Sequence, residues 1–325
     1  AAARHALERA AALGMSISAR EWEEICADVG FSDAGRLLNA LLRRGLVETR
    51  DEGWSFTHGL LRESLERRSR EEGRWEEHHR RCVAMLESLY DVSTPGVPRR
   101  LAEHRVIAGD VTGALGDLLE AARQAMQSAD YEECRQVIGR RRELNEQLEG
   151  ELAERAAVEN EIVSGELLGM TGEASQAVER AERAVERASA SAWPEVIGDA
   201  LRLRASMRRE IGELQEAFAD AEEALEQCLA SEDEAGVART HYILGRIEQV
   251  RGHTRRAEQH YVDALTWFDA RDDQSMKALI TCDIGYIFIT REDWVRARRA
   301  LKVALEISRQ VGNRKVAAQS WNRLG

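Results

Sequence analysis

The side chains best able to do chemistry in this sequence are eight His and five Cys, and their spacing decides whether they can. A zinc-type ion needs three or four His, Cys or carboxylate ligands converging at about 2.0–2.3 Å. His78 and His79 are adjacent, and His253 and His260 lie seven residues apart, two turns along one helix face, with no third ligand at a recognisable spacing. There is no HExxH, no CxxC and no GxSxG, so neither a metal centre nor a catalytic residue is predicted. No GxxxxGK(S/T) loop is present to cradle a phosphate, so no cofactor is expected within the chain. What remains is recognition. Arg is abundant, and a guanidinium can grip a carboxylate through two parallel hydrogen bonds. The expectation is a chain that binds and does not catalyse.

Composition narrows the scaffold. A length of 325 residues suits two or three compact domains or one extended solenoid. Only 3 Pro occur, and Ala, Leu, Glu and Arg dominate, which favours helices throughout. With 32% charged and 43% hydrophobic residues, amphipathic helices are available and a membrane span is not. The longest apolar stretch, residues 278–290, is interrupted by Asp283 and reads as a buried helix. Cys26, Cys82, Cys134, Cys228 and Cys282 are far apart, which predicts a reduced, cytoplasmic chain using them as small apolar fillers. A net charge of −12 argues against broad nucleic-acid binding. Lys is confined to Lys277, Lys302 and Lys315, which reads as codon bias.

Small residues recur every 40 positions: Gly165, Ala205, Gly245, Gly285 and Gly325. Three more series keep the same register: Ala177, Ala217, Ala257, Ala297; Ala184, Ala224, Ala264, Ala304; and Gly172, Gly212, Gly252. Each unit predicts one helix with a small residue near its middle, a turn at a Gly, and a second helix with small residues seven apart on one face. Within residues 239–269, Tyr242, Leu244, Gly245, Gly252, Ala257, Tyr261 and Ala264 resemble the tetratricopeptide repeat, six residues longer than the usual unit. Upstream, residues 129–134 and 102–122 read as degenerate units. Trp321, Leu324 and Gly325 open another, and with Ala at position 1 the chain is expected to be an excerpt at both ends.

The resemblance implies an all-α, right-handed superhelix whose first helices line an inner groove. Around the small residue of each first helix stand Arg202, Arg209, Arg239, Tyr242, Arg246 and Tyr286, the candidate partner-binding residues. Arg and Tyr are enriched in energetic hot spots, so a protein or peptide ligand, acidic or presenting its C-terminus, is the implied partner class. Equally open is a solvated face on which these arginines pair with the many Glu.

Residues 1–75 depart from the repeat. A helix over Ala2–Leu13 ends at Gly14, Ser18 caps a second holding Trp22 and Ile25, and a third over residues 34–44 turns Leu37, Leu38, Leu41 and Leu42 inward. Residues 46–50 and 54–57 then read as a two-stranded hairpin, and three helices with a hairpin make a winged helix. The string Trp54-Ser55-Phe56-Thr57-His58-Gly59-Leu60-Leu61-Arg62-Glu63 resembles the winged helix that follows the nucleotide-binding domain in signal-transduction ATPases with numerous domains, the STAND class, including MalT-like regulators. That resemblance implies a nucleotide-binding domain before residue 1, ATP or ADP in the full-length protein, and His58 as a residue facing the nucleotide phosphates. The same segment carries twelve Arg against thirteen Asp and Glu, with Asp51 and Glu52 at the wing tip, so direct DNA contact is not expected. The resulting organisation is a winged helix over residues 1–75, linking helices and degenerate repeats over 76–150, and repeats over 151–325. The function implied is a bacterial regulatory sensor that binds a protein, peptide or inducer and relays it through the winged helix. The alternatives are a scaffold with no linked ATPase, or part of a transcription regulator whose DNA-binding domain lies elsewhere.

Overall fold

The computed structural model describes residues 2–325, which form seventeen helices and three short strands. They divide into two compact units, one ending at Gln147 and the other beginning at Leu148.

The first unit runs α1 (Ala2–Leu13), β1 (Ser16–Ser18), α2 (Ala19–Asp28), α3 (Ala34–Arg43), β2 (Val47–Arg50), β3 (Gly53–Phe56), α4 (Gly59–Glu71), α5 (Trp75–Leu89), α6 (Val97–Ala108), α7 (Val111–Gln127) and α8 (Tyr131–Asn145). Ser18 closes a capping box on α2, its hydroxyl accepting from the Glu21 amide while the Glu21 side chain accepts from the Ser18 amide. The expected hairpin is a three-stranded antiparallel sheet in the order β1-β3-β2. β1 is too short to show alternation in sequence, and its trace lies in Gly53, whose missing side chain lets the Ile17 carbonyl lie 2.1 Å from where a Cβ would stand. Trp54 is buried at the centre of this sheet with Trp22 and Phe56 edge-on to it.

The boundary expected after residue 75 falls inside one continuous core. Val83, Met85, Leu86, Val97 and Leu101 pack in the same cluster as Ala6, Ile17, Trp22 and Trp54. The buried Glu8 carboxylate of α1 also accepts from Arg74 at 2.8 Å and contacts His78 Nε2 at 2.9 Å, tying α1 to the start of α5. A cut after residue 75 would take His78 from that carboxylate and open the apolar cluster that both segments share.

The second unit is a stack of antiparallel pairs: α9 (Glu151–Met170) with α10 (Ala174–Ala190), α11 (Pro194–Ile211) with α12 (Leu214–Ala230), α13 (Glu234–Val250) with α14 (Thr254–Ala270), α15 (Gln274–Thr290) with α16 (Trp294–Gln310), then α17 (Arg314–Leu324). From α12 to α16 every helix has 17 residues. Every turn places one residue in the left-handed region, at steps of twenty: Gly172, Ala192, Gly212, Glu232, Gly252, Asp272, Glu292 and Gly312. Only half are Gly, which is why sequence showed one turn per unit and not two. Asp233, Asp273, Asp293 and Asn313, each directly after such a residue, cap the next helix by accepting from the amide three residues on. First helices also touch first helices, α9 against α11, α11 against α13 and α15 against α17, which puts them on the inner side of the stack.

The small-residue series are the contact points. Ala177, Ala184, Ala217, Ala224, Ala257, Ala264 and Ala304 are fully buried. A Cβ on Gly245 would stand 2.6 Å from the Tyr261 ring, and one on Gly285 2.8 Å from Leu301. Gly245→Leu is therefore expected to cost about 1–3 kcal/mol or more by overpacking. A thermal melt followed by circular dichroism checks this, and an unchanged midpoint would refute the contact.

Candidate functional site

The first helices of the second unit bring the candidate residues to the inner side, but not as equals. Arg202 is 5% exposed and reaches back toward α12, where Nη1 donates to Cys228 Sγ at 3.0 Å, and it pairs with Asp199 one turn earlier. Burial, with the Arg239 charge adding to it, pulls its pKa down to about 10. Arg209 has an 8% exposed side chain, pairs with Glu210, and is likewise lowered by burial and then by Arg246. Both guanidiniums are largely withdrawn from solvent. Arg239 is half-exposed, 3.7 Å from Asp233, the residue that caps α13.

Tyr242, Arg246 and Tyr286 form the accessible part. Arg246, with 39% of its side chain exposed, sits with its guanidinium 5.9 Å from the Tyr242 ring centroid and 3.7 Å from Glu210. Burial alone would lower its pKa, but Tyr242 and Asp283 and their neighbours outweigh it and the pKa is raised, so the cation is retained. Tyr242 donates its hydroxyl to Asp283 Oδ2 at 3.2 Å, and burial followed by the Asp283 charge pushes its pKa up. Tyr286 is partly exposed beneath the Arg323 guanidinium, 4.9 Å from its ring centroid.

Two members of this group were not legible as such. Asp283, seen in sequence only as the break in an apolar run, is buried and accepts from Tyr242 on α13 and from Arg323 Nη1 on α17 at 3.0 Å. Arg323 also donates to the Cys282 carbonyl at 2.8 Å. One carboxylate on α15 therefore joins its two neighbouring first helices. Tyr261 completes the layer, its ring 6.0 Å from that of Tyr242 and its hydroxyl donating to Gln249 at 2.8 Å. The group can hold an anionic segment: a partly exposed cation beside one aromatic face, a second cation over Tyr286, and a buried carboxylate that joins them.

A separate cluster spans α13 and α14. His241 and His260 place their Nδ1 atoms 3.1 Å apart, and Asp263, one turn beyond His260, offers a carboxylate within 4.8 Å of both. Burial lowers the pKa of both imidazoles, with His241 adding to the effect on His260. His253, the other His that sequence places near His260, stands instead at the N-terminus of α14 without a side-chain capping bond and contacts Glu248. In the first unit His79 and His104 make a second pair, Nδ1 to Nδ1 at 2.8 Å, both buried and lowered to about 4 and about 3, mainly by burial.

His58 lies in the first unit, exposed at the N-terminus of α4, where it is the capping residue without making a side-chain cap bond. On α3, Arg36 is 82% exposed and pairs with Asp33, and Arg50 on β2 pairs with Glu48. Among the described residues no helix is long and apolar enough to cross a membrane.

No protein-family model and no curated protein sequence matches this chain. Solved structures do. The Rap conjugation gene regulator of plasmid pLS20, in complex with the Phr* peptide, superposes with a TM-score of 0.57 at 12% identity over 76% of this chain and 73% of that one. Aspartyl phosphate phosphatase F from Bacillus subtilis gives 0.50 at 10% identity, over 96% and 84%. A signal transduction ATPase with numerous domains from Pyrococcus horikoshii, bearing a tetratricopeptide repeat sensor, gives 0.48 at 16% identity, and this chain spans 59% of it. The first two likenesses show the fold, a tetratricopeptide-like superhelix of helical repeats.

The buried network predicts its own sensitivity. Asp283→Ala leaves the Tyr242 hydroxyl and the Arg323 guanidinium without their acceptor and is expected to destabilise by about 3–5 kcal/mol, whereas Tyr242→Phe removes one neutral donor and costs about 1 kcal/mol. Urea unfolding midpoints compare them, and equal costs would refute Asp283 as the shared acceptor.

Proposed function

We propose that this chain is the sensor region of a bacterial STAND-type signalling ATPase, taking an acidic protein or peptide segment on the inner face of its first helices. The observation that carries the binding half is Arg246, a retained and partly exposed cation beside Tyr242. A carboxylate on the partner would meet up to five guanidinium donors there, and aromatic rings would cover its apolar flank. Helical-repeat binding of a peptide has a precedent in the pLS20 regulator with its Phr* peptide.

The signalling half rests on the first unit. Its order of helix, strand, two helices and two strands supports the winged-helix reading, and the string from Trp54 to Glu63 carries the resemblance to the STAND class. In this reading the winged helix relays partner binding to a nucleotide-binding domain holding ATP or ADP in the cytoplasm, and His58, exposed at the start of α4, faces the phosphates.

Each half has its own measurement. Fluorescence anisotropy with labelled Asp- and Glu-rich peptides is expected to show binding that Arg246→Glu weakens about tenfold or more, while Arg298→Glu, exposed on a second helix, leaves it unchanged. Arg202 is a poor choice for this test, because a carboxylate there would be buried. Equal losses in both variants would reduce the interaction to bulk charge, and no binding would remove the peptide reading. For the signalling half, the full-length protein is expected to co-purify with ADP or ATP, and His58→Ala is expected to change the bound fraction. A full-length protein that holds no nucleotide would refute it.

A further inference from the structure

We infer that His241, His260 and Asp263 form a binding site for a single divalent transition-metal ion of the zinc type. The inference is independent of the peptide and nucleotide readings above.

The geometry comes first. Two imidazole nitrogens bound to one ion at about 2.0–2.1 Å stand about 2.9–3.4 Å apart, whether the angle at the metal is octahedral or tetrahedral. His241 Nδ1 and His260 Nδ1 are 3.1 Å apart, so both can ligate one ion with little movement of either helix. Asp263 lies three residues after His260 on the same face of α14, and a carboxylate oxygen comes within 4.8 Å of one ring nitrogen of each His. It is exposed, so a rotation about its own side chain brings an oxygen to ligating distance. Gln259 Nε2 donates to Asp263 Oδ1 at 2.9 Å and would orient the carboxylate from outside the coordination shell.

The repeat register shows that this slot is not fixed by the scaffold. The positions equivalent to His241 and His260 hold Glu161 and Arg180 in one unit, an ion pair at 2.9 Å. They hold Leu201 and Asp220 in the next, and Thr281 and Ala300 in the last. The position of Asp263 is Arg183, Glu223 and Val303 elsewhere. Packing alone accepts all of these, yet one unit carries three donors, and among the described residues no other His, Cys, Asp and Glu set converges in this way. The buried pair His79 and His104 is the contrast: two rings sharing a hydrogen bond, sealed from solvent, with no carboxylate in reach of both.

The chemistry of the donor set selects the ion. Two imidazoles and one carboxylate suit zinc, nickel, copper or cobalt, and disfavour calcium and magnesium, which take oxygen ligands. Without metal the two rings share one Nδ1 hydrogen. On binding, that proton moves to Nε2 of the same ring, both Nδ1 lone pairs turn to the ion, and no net proton leaves the pair. Three protein ligands leave the remaining coordination to water.

Isothermal titration of the 325-residue chain with zinc chloride, and the visible spectrum of the cobalt-loaded protein, test the site. One equivalent of zinc is expected to bind and to raise the melting temperature. His241→Ala and His260→Ala should each weaken it by about tenfold or more, and His253→Ala should leave it unchanged. Magnesium should not compete. Asp263→Asn, at an exposed position, guards against a His variant that fails to fold, and it should reduce both affinity and the zinc-induced rise in melting temperature. Absence of stoichiometric binding, binding indifferent to all three ligand variants, or binding lost only with His253 would each overturn the site.

Discussion

The second unit depends on a single recurring constraint, the close approach of helices, most of them 17 residues long, joined by short turns that each admit one left-handed residue. At Gly172, Gly212, Gly252 and Gly312 that conformation is nearly free. At Ala192, Glu232, Asp272 and Glu292 it costs about 1 kcal/mol per residue, and the chain accepts the cost because each turn also ends one helix and starts the next. Where Asp233, Asp273 and Asp293 follow, a capping bond offsets it. With the turns fixed, the buried Ala series and Gly245 meet their neighbours at the same height in successive units, and the first helices stand side by side.

That side-by-side arrangement turns separate residues into a site. Asp283 accepts from the helix before it and from the helix after it, so the orientation of Tyr242 and of Arg323, and through them the setting of Arg246 and Tyr286, follows from one buried carboxylate. A buried carboxylate without those donors would be costly, and the donors without it equally so. The polar layer therefore fixes the alignment of three helices more than it strengthens their packing.

Much of this was legible because it is periodic. The 40-residue register set helix order, the small contact residues and one of the two turns. Ser18, Gly45 and the hairpin strands of the first unit were also readable from local signals. What was hidden is non-periodic or too short. β1 has three residues and no pattern. The division read after residue 150 lies three residues from the one at Gln147, but the core across residue 75 was hidden, because Trp22 and Trp54 join Val83, Leu86 and Leu101 in one cluster only in three dimensions. Periodicity put Arg202 on a first helix but could not show its long side chain turning back to Cys228. His241 and His260 are 19 residues apart on two helices, a separation that becomes a contact only once both turns are known to have the same short length.

The twenty-residue step between left-handed positions bears on how such an array can change in length. Removing twenty residues would leave every remaining turn intact, yet each later second helix would become a first helix, and the acidic exposed side of a helix such as α12 would face inward where Arg246 and Tyr286 now stand. Removing forty would preserve both the turns and the alternation. Insertions and deletions along this lineage should therefore come in whole pairs, because a half-unit change would keep the turns while breaking the pairing of Gly245 with Tyr261 and of Gly285 with Leu301 and inverting the chemistry of the inner face.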